Sequence, residues 1–411
     1  MTNELKKRIA DINNGIIPDG YKKTKVGIVP VEWEIVSLKD IFTFQKGASL
    51  SKRDISEKGR PLILYGELYT TYKEVTYNIV RKTNKDVEEV YKSKIGDIII
   101  PMSGESPEEI STASCIMMKD VILAGDLIIL RTNKANQIFL SYMINHGINK
   151  KISNIAQGKS VVHLQITPLG KINFPIPPLT EQQKIAEILS TQDKLISLQE
   201  KKIEKLKELK KAYLQKMFPR KGSKYPEIRF KGFTDAWEQR KLGDIASDMV
   251  AGGDIDKDLI LAEGQYPVIA NALTGDGIVG YYDKEYRVNA PAVTVTGRGD
   301  VGHAKARLVN FTPVVRLLSV KSEHDVFFLE NAINTLKIVI ESTGVPQLTV
   351  PQLAKYEVAF PRQLDEEEHI GAFFKQLDTL ITLHQRKLEK EKEKKKALMQ
   401  LLLTGKVRVK L

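Results

Sequence analysis

The sequence has little of what a disulfide, a metal site or a membrane span would need. Its one cysteine, Cys115, excludes a disulfide within the chain. The six histidines do not pair at metal-binding spacings, and there is no CxxC pair or HExxH stretch. No apolar run approaches the roughly 18 residues of a membrane helix, and the N-terminal residues have no apolar signal core. These absences predict a soluble protein of a reducing cytoplasm, with no metal ion and no membrane partner.

The rest of the composition is that of an ordinary globular protein. The chain has 411 residues, 42% hydrophobic and 28% charged, a length that suits two or three domains. Lys and Arg number 63 against 51 Asp and Glu, which gives a net charge of +12. This excess is spread along the chain, as in proteins that bind a polyanion over a broad surface, although many basic proteins bind no nucleic acid.

Short motifs of known enzymes fail when their context is considered. Residues 297–302 satisfy GxGxxG, but the residues after them do not predict the helix that would hold a pyrophosphate. Residues 158–160 resemble the end of a phosphate-binding loop, yet Ser153 stands in the place of its first glycine. Pro177 and Pro178 lack the neighbours found in amino-methyltransferases. We therefore predict that this chain has no catalytic residues and no cofactor of its own.

An internal repeat is the most informative feature of the sequence. Two Lys- and Glu-rich helical segments align without a gap at an offset of 185 residues, and the alignment matches apolar positions and an aspartate as well as charges. Two further registers, offset by 184 and 204, extend the repeat. The chain is therefore predicted to be a tandem duplication. The aligned stretches are 179–218 with 364–403, 164–177 with 348–361, and 33–41 with 237–245.

Both helical segments carry an apolar residue at every seventh position, which is typical of a coiled coil. The two seams match in phase, which favours packing of one helix on the other over two separate surface helices. Lys210 and Lys395 interrupt the seams at the same step, where a polar residue can fix the register. The residues predicted to form the coiled coil are Ile185, Leu189, Ile196, Ile203, Leu206, Phe374, Ile381 and Leu388.

Between the repeated stretches, β-branched runs bounded by Gly, Pro, Asn and Asp predict strands and turns. The predicted strand regions are 94–101, 125–133, 289–300 and 312–320, and the short helices are 139–149 and 326–341. We predict an α+β fold: two strand-rich domains separated by two long coiled-coil helices, an internal tandem repeat with pseudo-two-fold symmetry. The predicted segments are 1–20 (N-terminal helical), 21–178 (first domain), 179–218 (first long helix), 219–363 (linker and second domain), 364–405 (second long helix) and 406–411 (basic tail).

Glycine-punctuated loops in both domains carry residues suited to contact DNA. Lys and Arg can bind phosphate or guanine, Asn and Gln can read adenine, and Tyr can pack on sugar or base. Any single loop is explained equally well as ordinary solvated surface, but such loops recur at similar places in both domains. The candidate DNA-binding residues are Lys46, Lys52, Arg53, Tyr65, Glu67, Tyr69, Tyr72, Ser103, Lys159, Ser160, His163, Asn271, Tyr281, Tyr282, Arg298, Lys305, Arg307, Thr343 and Gln347.

Over nearly its whole length the sequence resembles the specificity subunit of Type I restriction-modification systems. The resemblance lies in residues 21–41, 176–196 and 395–409, while the start of the second helix differs from the pattern, with Glu367 in the place of Gln182. It implies two target-recognition domains separated by antiparallel helices, each domain reading one half of a split, asymmetric target in double-stranded DNA.

The resemblance also implies partners. The helices would recruit two methyltransferase subunits and, through them, restriction subunits, for adenine methylation or DNA cleavage. S-adenosylmethionine, ATP and Mg²⁺ would then belong to those partners. Two alternatives stay open: a DNA-modifying enzyme that acts alone through an unrecognised site, and a structural coiled-coil adaptor.

Overall fold

The structure is a computed structural model that describes residues 2–158, 160–338 and 347–409. The chain divides into two compact units: unit 1 comprises Met1–Leu198 and Leu388–Leu411, and unit 2 comprises Gln199–Lys387. The division falls inside the two long helices and not at their ends, so each unit contains part of both.

Unit 1 holds a five-stranded sheet and a three-stranded sheet, together with short helices. Its strands are β1 (Tyr21–Thr24), β2 (Gly27–Pro30), β3 (Glu34–Ser37), β4 (Thr43–Lys46), β5 (Arg60–Leu64), β6 (Val75–Thr76), β7 (Arg81–Thr83), β8 (Asp97–Pro101), β9 (Ser103–Gly104), β10 (Ser114–Ile116), β11 (Ile122–Ala124), β12 (Leu127–Arg131), β13 (Val162–His163) and β14 (Asn173–Ile176). Its helices are α1 (Asn3–Asn13), α2 (Leu38–Ile41), α3 (Glu67–Thr70), α4 (Pro107–Ile110), α5 (Gln137–Tyr142), α6 (Asn149–Asn154), α7 (Ile166–Gly170) and the first part of α8 (Leu179–Met217).

The core of unit 1 lies on both faces of the larger sheet, which has the order β4-β12-β8-β10-β6. Strands β8 and β12 are antiparallel, with Ile99 opposite Ile129. Ile98 and Ile100 pack into one apolar cluster, whereas Ile99 and Ile129 pack into another. Because successive side chains point to opposite faces, an unbroken apolar run indicates a strand covered on both sides.

Unit 2 holds a four-stranded sheet and a three-stranded sheet. Its strands are β15 (Glu238–Lys241), β16 (Ala246–Ala251), β17 (Tyr266–Ile269), β18 (Ile278–Tyr282), β19 (Ala292–Thr296), β20 (Ala304–Arg307), β21 (Thr312–Pro313), β22 (Leu317–Ser322) and β23 (Glu357–Phe360). Its helices are α9 (Leu242–Ile245), α10 (Val326–Asn334), α11 (Val350–Leu353), the rest of α8, and the first part of α12 (Leu364–Leu402). The α+β class and the two long helices are confirmed.

The duplication extends through the middle of the strand-rich domains, between the stretches that align in sequence. The order β4-β12-β8-β10 in unit 1 recurs as β16-β22-β19-β20 in unit 2. The smaller sheets, β11-β5-β7 and β21-β17-β18, also correspond. In both, the outer pair formed by the first two strands is parallel. The two domains therefore share a topology although their sequences have diverged.

A clamp formed by an asparagine recurs in the same way. Asn145 accepts from the backbone N–H of Ala113 at 3.0 Å and donates to its carbonyl at 2.8 Å. Asn334, 189 residues later, makes the same two bonds to Ala304, at 2.9 and 3.0 Å. Each clamp ties the end of a helical segment to the start of β10 or β20, so these two asparagines are equivalent in structure.

Two predicted segments differ from the structure. Helix α10 ends at Asn334, before the predicted end at 341. At this last residue the Asn334 side chain binds the backbone of Ala304 and not its own helix. Residues 339–341 lie outside the described part of the chain. The region 312–320 is not one strand, since Arg316 has a positive φ of 73°, which breaks an extended run. The break separates β21 from β22.

The long helices pack antiparallel within each unit. In unit 1 Gln192 binds Glu391, and Glu181 binds Arg408, which follows α12. In unit 2 Gln199 binds His384 and Lys210 binds Asp378. In both units residues further along α8 therefore meet residues earlier in α12. The predicted seam residues that are buried are Ile185, Leu189, Ile196, Ile203, Phe374, Ile381 and Leu388, and Leu206 is half-buried.

The two lysines that interrupt the seams each bind the aspartate that the repeat predicts to be equivalent. Lys210 lies 2.7 Å from Asp378, and Lys395 lies 2.7 Å from Asp193. Lys395 also binds Glu74 at 2.8 Å, a residue of the first strand-rich domain. Burial acts to raise the pKa of Glu74, but hydrogen bonds from His146 and Lys395 hold that pKa at about 2. Lys395 thus joins three parts of unit 1.

We expect Lys395→Met to destabilise the chain far more than Lys210→Met. Lys395 and Glu74 are 13% and 12% exposed, whereas Asp378 is 40% exposed. Removing one partner of a buried pair costs about 3–5 kcal/mol, and an exposed pair is worth about 1 kcal/mol or less. Urea unfolding followed by circular dichroism measures both losses. Equal losses would contradict the unequal burial.

Candidate functional site

A buried carboxylate lies near the start of each long helix. Glu181 accepts hydrogen bonds from Trp33 Nε1 at 3.0 Å and from Arg408 Nε at 2.8 Å. Glu366, its counterpart in the repeat, receives two bonds from the guanidinium of Arg229, at 2.6 and 2.8 Å. Both carboxylates are 1% exposed. An ionised group in such a place needs a charged partner, which an arginine provides in each case.

These two arginines come from segments that sequence analysis treats as a linker and a basic tail. Arg229 lies in an Ile-Arg-Phe triplet, 228–230, and Arg408 in a Val-Arg-Val triplet, 407–409. The residues that flank them, among them Phe230 and Val409, pack against the core of their own unit. The apolar-Arg-apolar pattern after each long helix is the signal that could have identified this docking.

The residue after each buried glutamate differs between the repeats, and the structure shows how the difference is accommodated. Gln182 accepts from the backbone N–H of Asn136 at 2.9 Å and donates to the Pro177 carbonyl at 2.8 Å. Glu367 instead faces His324, whose Nδ1 lies 2.9 Å from both carboxylate oxygens. The second start of a long helix has therefore exchanged an amide for a carboxylate and gained an imidazole beside it.

We expect His324→Ala to destabilise unit 2 by about 3–5 kcal/mol, because it leaves the buried Glu367 carboxylate without its partner. Adding Glu367→Gln should recover most of this loss, since the double variant restores an amide like Gln182 of the first repeat. Thermal unfolding of the two single variants and the double variant measures the coupling. Additive losses would show that the two side chains do not depend on each other.

Three candidate cations of the first domain lie on its surface. Lys46 ends β4, and Lys52 and Arg53 lie in a short 3₁₀ turn; all three are exposed. The turn is held by Ser51 and Asp54, with the Ser51 N–H donating to the Asp54 carboxylate at 2.8 Å. These cations are thus presented on an ordered loop.

The aromatic candidates of this domain are more enclosed. Tyr65 and Tyr72 pack against an apolar cluster, and burial raises the pKa of Tyr72. Glu67 pairs with Arg81 at 2.9 Å, so its carboxylate serves first to hold the loop. Tyr69 is half-buried. Only the exposed parts of these rings are available to a nucleic acid.

Ser103 and His163, predicted on separate loops, are brought together because β9 pairs with β13. The Ser103 hydroxyl lies 2.8 Å from His163 Nδ1 and also donates to Asp126. Asp126 contacts the serine and not the imidazole. In a nucleophilic triad the acid contacts the histidine, so these three residues do not form one. Ser160 is exposed, and Lys159 lies outside the described residues.

In the second domain three predicted loops meet. Asn271 accepts from the Gly297 N–H at 2.8 Å and donates to the Val315 carbonyl at 3.1 Å. Arg298 forms a backbone bridge with Gln347. Asn271 is therefore engaged in holding loops, whereas Arg298 is exposed. The loops that carry the candidates form one surface of unit 2.

Arg316 belongs to the same surface and was missed by sequence reasoning. Its guanidinium donates to the Gln347 side chain. It stands inside a run that predicts a strand, so nothing local marked it as a loop residue. Its left-handed backbone conformation is uncommon for a residue other than glycine. Thr343 lies outside the described residues.

The remaining candidates of the second domain are bonded within it. Lys305 pairs with Asp276 at 2.6 Å. Arg307 donates to Thr294 at 3.0 Å, and burial lowers the pKa of its guanidinium. Tyr282 is buried, and its hydroxyl donates to the Asp256 carbonyl at 3.0 Å. Tyr281 is half-buried. Lys305 alone of these four is exposed.

The long helices expose pairs of leucines at equivalent positions. Leu195 and Leu198 on α8 are 44% and 63% exposed. Their counterparts at the offset of 185, Leu380 and Leu383 on α12, are 43% and 58% exposed. The predicted seam residues are buried, apart from the half-buried Leu206. The apolar side chains that a partner can reach on the helices therefore include these four leucines, together with Leu179, Leu209 and Leu364.

Three further observations concern chemistry. Burial raises the pKa of the Cys115 thiol to about 12. Within the ranges that the structure describes, no three His, Cys, Asp or Glu side chains gather as metal ligands would. None of the helices in those ranges combines the length and the apolar character that a membrane span requires.

Comparison with known proteins identifies the family to which this chain belongs. The family model for the Type I restriction modification DNA specificity domain matches residues 30–208 and 234–392. The chain belongs to this family, and it carries the domain twice.

Related proteins carry matching names. A protein of Methanocaldococcus jannaschii named as the specificity subunit of the type I restriction enzyme MjaX is 29% identical over 95% of this chain and 97% of its own length. The type I restriction enzyme MjaVIII specificity subunit of the same organism is 25% identical over 93% and 94%. The crystal structure of a Type-I restriction-modification system S subunit from M. genitalium has a TM-score of 0.66 at 15% identity, over 92% of this chain and 96% of that one. That likeness supports the fold.

Proposed function

We propose that this chain is the non-catalytic recognition subunit of a type I restriction-modification complex and reads a bipartite, asymmetric target in double-stranded DNA. Each strand-rich domain reads one half of the target through its loops. The long helices scaffold two methyltransferase subunits and, through them, restriction subunits, for adenine methylation or DNA cleavage.

The shared topology of the two domains is the observation that carries this proposal. Two domains with corresponding sheets present loops at comparable places, while the residues on those loops differ. Arg53 stands on one ordered loop of the first domain and Arg298 on one of the second. Two domains that share a fold but carry different side chains on their loops are expected to recognise two different half-sites.

We expect Arg53→Ala to relax recognition of one half-site and Arg298→Ala to relax recognition of the other. A side chain that contacts a base is worth about 1–3 kcal/mol of discrimination. Mapping methylated adenines in cells that express each variant with its partners measures both half-sites. Arg60→Ala is the control, because Arg60 is a surface residue paired with Asp86 at 2.7 Å. Relaxation of both half-sites by one variant would contradict two separate readers.

The exposed leucine pairs support the recruitment of two copies of one partner. A duplicated surface presents the same apolar positions twice, and identical partners can then bind equivalently. Exposed apolar groups on a helix are also what a helix of another subunit would cover. We assign Leu195 with Leu198 to one methyltransferase subunit, and Leu380 with Leu383 to the other.

We expect Leu198→Asp and Leu383→Asp each to lose one methyltransferase subunit, and the double variant to lose both, because each carboxylate would be buried in an apolar contact. Native mass spectrometry of the purified complex counts the subunits. Leu209→Asp is a matched control: Leu209 is 43% exposed, but its repeat counterpart is Lys394. Loss of both subunits in either single variant would argue against equivalent sites.

The cofactors belong to the partners in this proposal. S-adenosylmethionine would be held by the methyltransferase subunits, and ATP and Mg²⁺ by the restriction subunits. Purified chain without partners should therefore neither methylate nor cut DNA in the presence of all three. Either activity would favour an enzyme that acts alone.

A further inference from the structure

Unit 2 contains a cavity of about 1280 Å³ beside the C-terminal end of α8. Its lining includes none of the candidate DNA-binding residues and none of the four exposed leucines. Its enclosed lining is apolar: Phe218 and Val358 are buried, and Leu214 and Leu336 are partly buried. Its exposed lining is cationic, with one carboxylate, Glu357. The cations that line it are Lys211, Arg220, Lys221, Lys224, Lys337 and Lys355.

The positive charge of this cavity is largely uncompensated. Arg220 pairs with Glu227. In the described part of the chain, the five lysines that line the cavity have no carboxylate partner within ion-pair distance. Five lysines and one carboxylate, Glu357, at the mouth of an apolar recess create a local field that favours an anionic ligand.

Three of these cations lie on a segment that is longer in the second unit than its counterpart in the first. Ten residues, 218–227, separate the end of α8 from the Ile-Arg-Phe triplet, whereas four residues, 403–406, separate the end of α12 from the Val-Arg-Val triplet. The longer segment contributes Arg220, Lys221 and Lys224. It is tied back to the rest of unit 2, because the backbone N–H of Trp237 donates to the Lys224 carbonyl at 2.8 Å. The longer segment therefore adds three ordered cations to the wall of this cavity.

We propose that this cavity binds an acidic peptide segment of a partner protein, one segment per chain, anchored by an aromatic or aliphatic side chain. The peptide's carboxylates meet the lysines and its apolar residue fills the recess. Duplex DNA fits less well, because its phosphates lie on a convex surface and would leave the apolar lining hydrated. Because the segment that supplies three of its cations is longer after α8 than after α12, we expect the site to be specific to the second unit.

The test uses the full chain and a phage-displayed library of random 12-residue peptides. We expect the selected peptides to combine Asp or Glu with an aromatic or aliphatic residue and to bind with a stoichiometry of one. Fluorescence anisotropy of the strongest peptide should show about tenfold weaker binding to Lys221→Glu/Lys224→Glu and weaker binding to Leu336→Ser. Lys6→Glu/Lys7→Glu, on the exposed side of α1, should bind as the unaltered chain does. Circular dichroism confirms that each variant is folded.

Three results would overturn the proposal. Selection of no peptide, or of peptides without acidic residues, would remove the predicted ligand. Equal affinity for a peptide whose apolar residues are replaced by serine would show that the recess binds no apolar anchor and that the lysines attract any polyanion. Displacement of the peptide by a 20-base-pair duplex that itself binds Lys221→Glu/Lys224→Glu tenfold more weakly would assign the cavity to nucleic acid.

Discussion

Each unit is held closed by a carboxylate that cannot remain buried without a cation. Glu181 and Glu366 are fully enclosed near the starts of α8 and α12, and their charges are met by Arg408 and Arg229. In each unit the arginine follows one long helix and the carboxylate begins the other. A unit is therefore complete only when both helices and the segment after one of them are in place. Because a buried ion pair tolerates little displacement, it orients the helices on which the domains are built.

At two buried positions of the duplication, a change in one side chain is accompanied by a change in its partner. The exchange of Gln182 for Glu367 is accompanied by His324, so the buried group keeps a partner. The seam lysines have kept their aspartates in both repeats, but Lys395 has added Glu74 and is the more enclosed. Surface loops have no such constraint, because their side chains face water. This contrast explains why the helices still align in sequence while the middle parts of the strand-rich domains align only in topology.

The long helices and the repeat could be predicted because their signals are local: heptad spacing and an unbroken alignment lie along the chain. The shared sheet order could not, since strand pairing joins residues far apart, as Ile99 and Ile129 are. For the same reason Asn271 and Tyr282 read as surface residues, although the fold uses their side chains internally. The exposed Arg53 and Arg298 were within reach of sequence because loops rich in Gly, Ser and Asp generally lie at the surface.

One hydrogen bond joins a residue to its own counterpart in the repeat. Gln199 and His384 are hydrogen-bonded across the long helices, and they are separated by the repeat offset of 185, so each is the other's counterpart. In an assembly of two identical copies this position would meet itself, glutamine with glutamine or histidine with histidine. An amide that donates to an imidazole is a pairing of unlike groups, and such a pairing needs two copies that can differ. Because the two copies are joined in one chain, the residue at this position no longer has to pair with an identical residue.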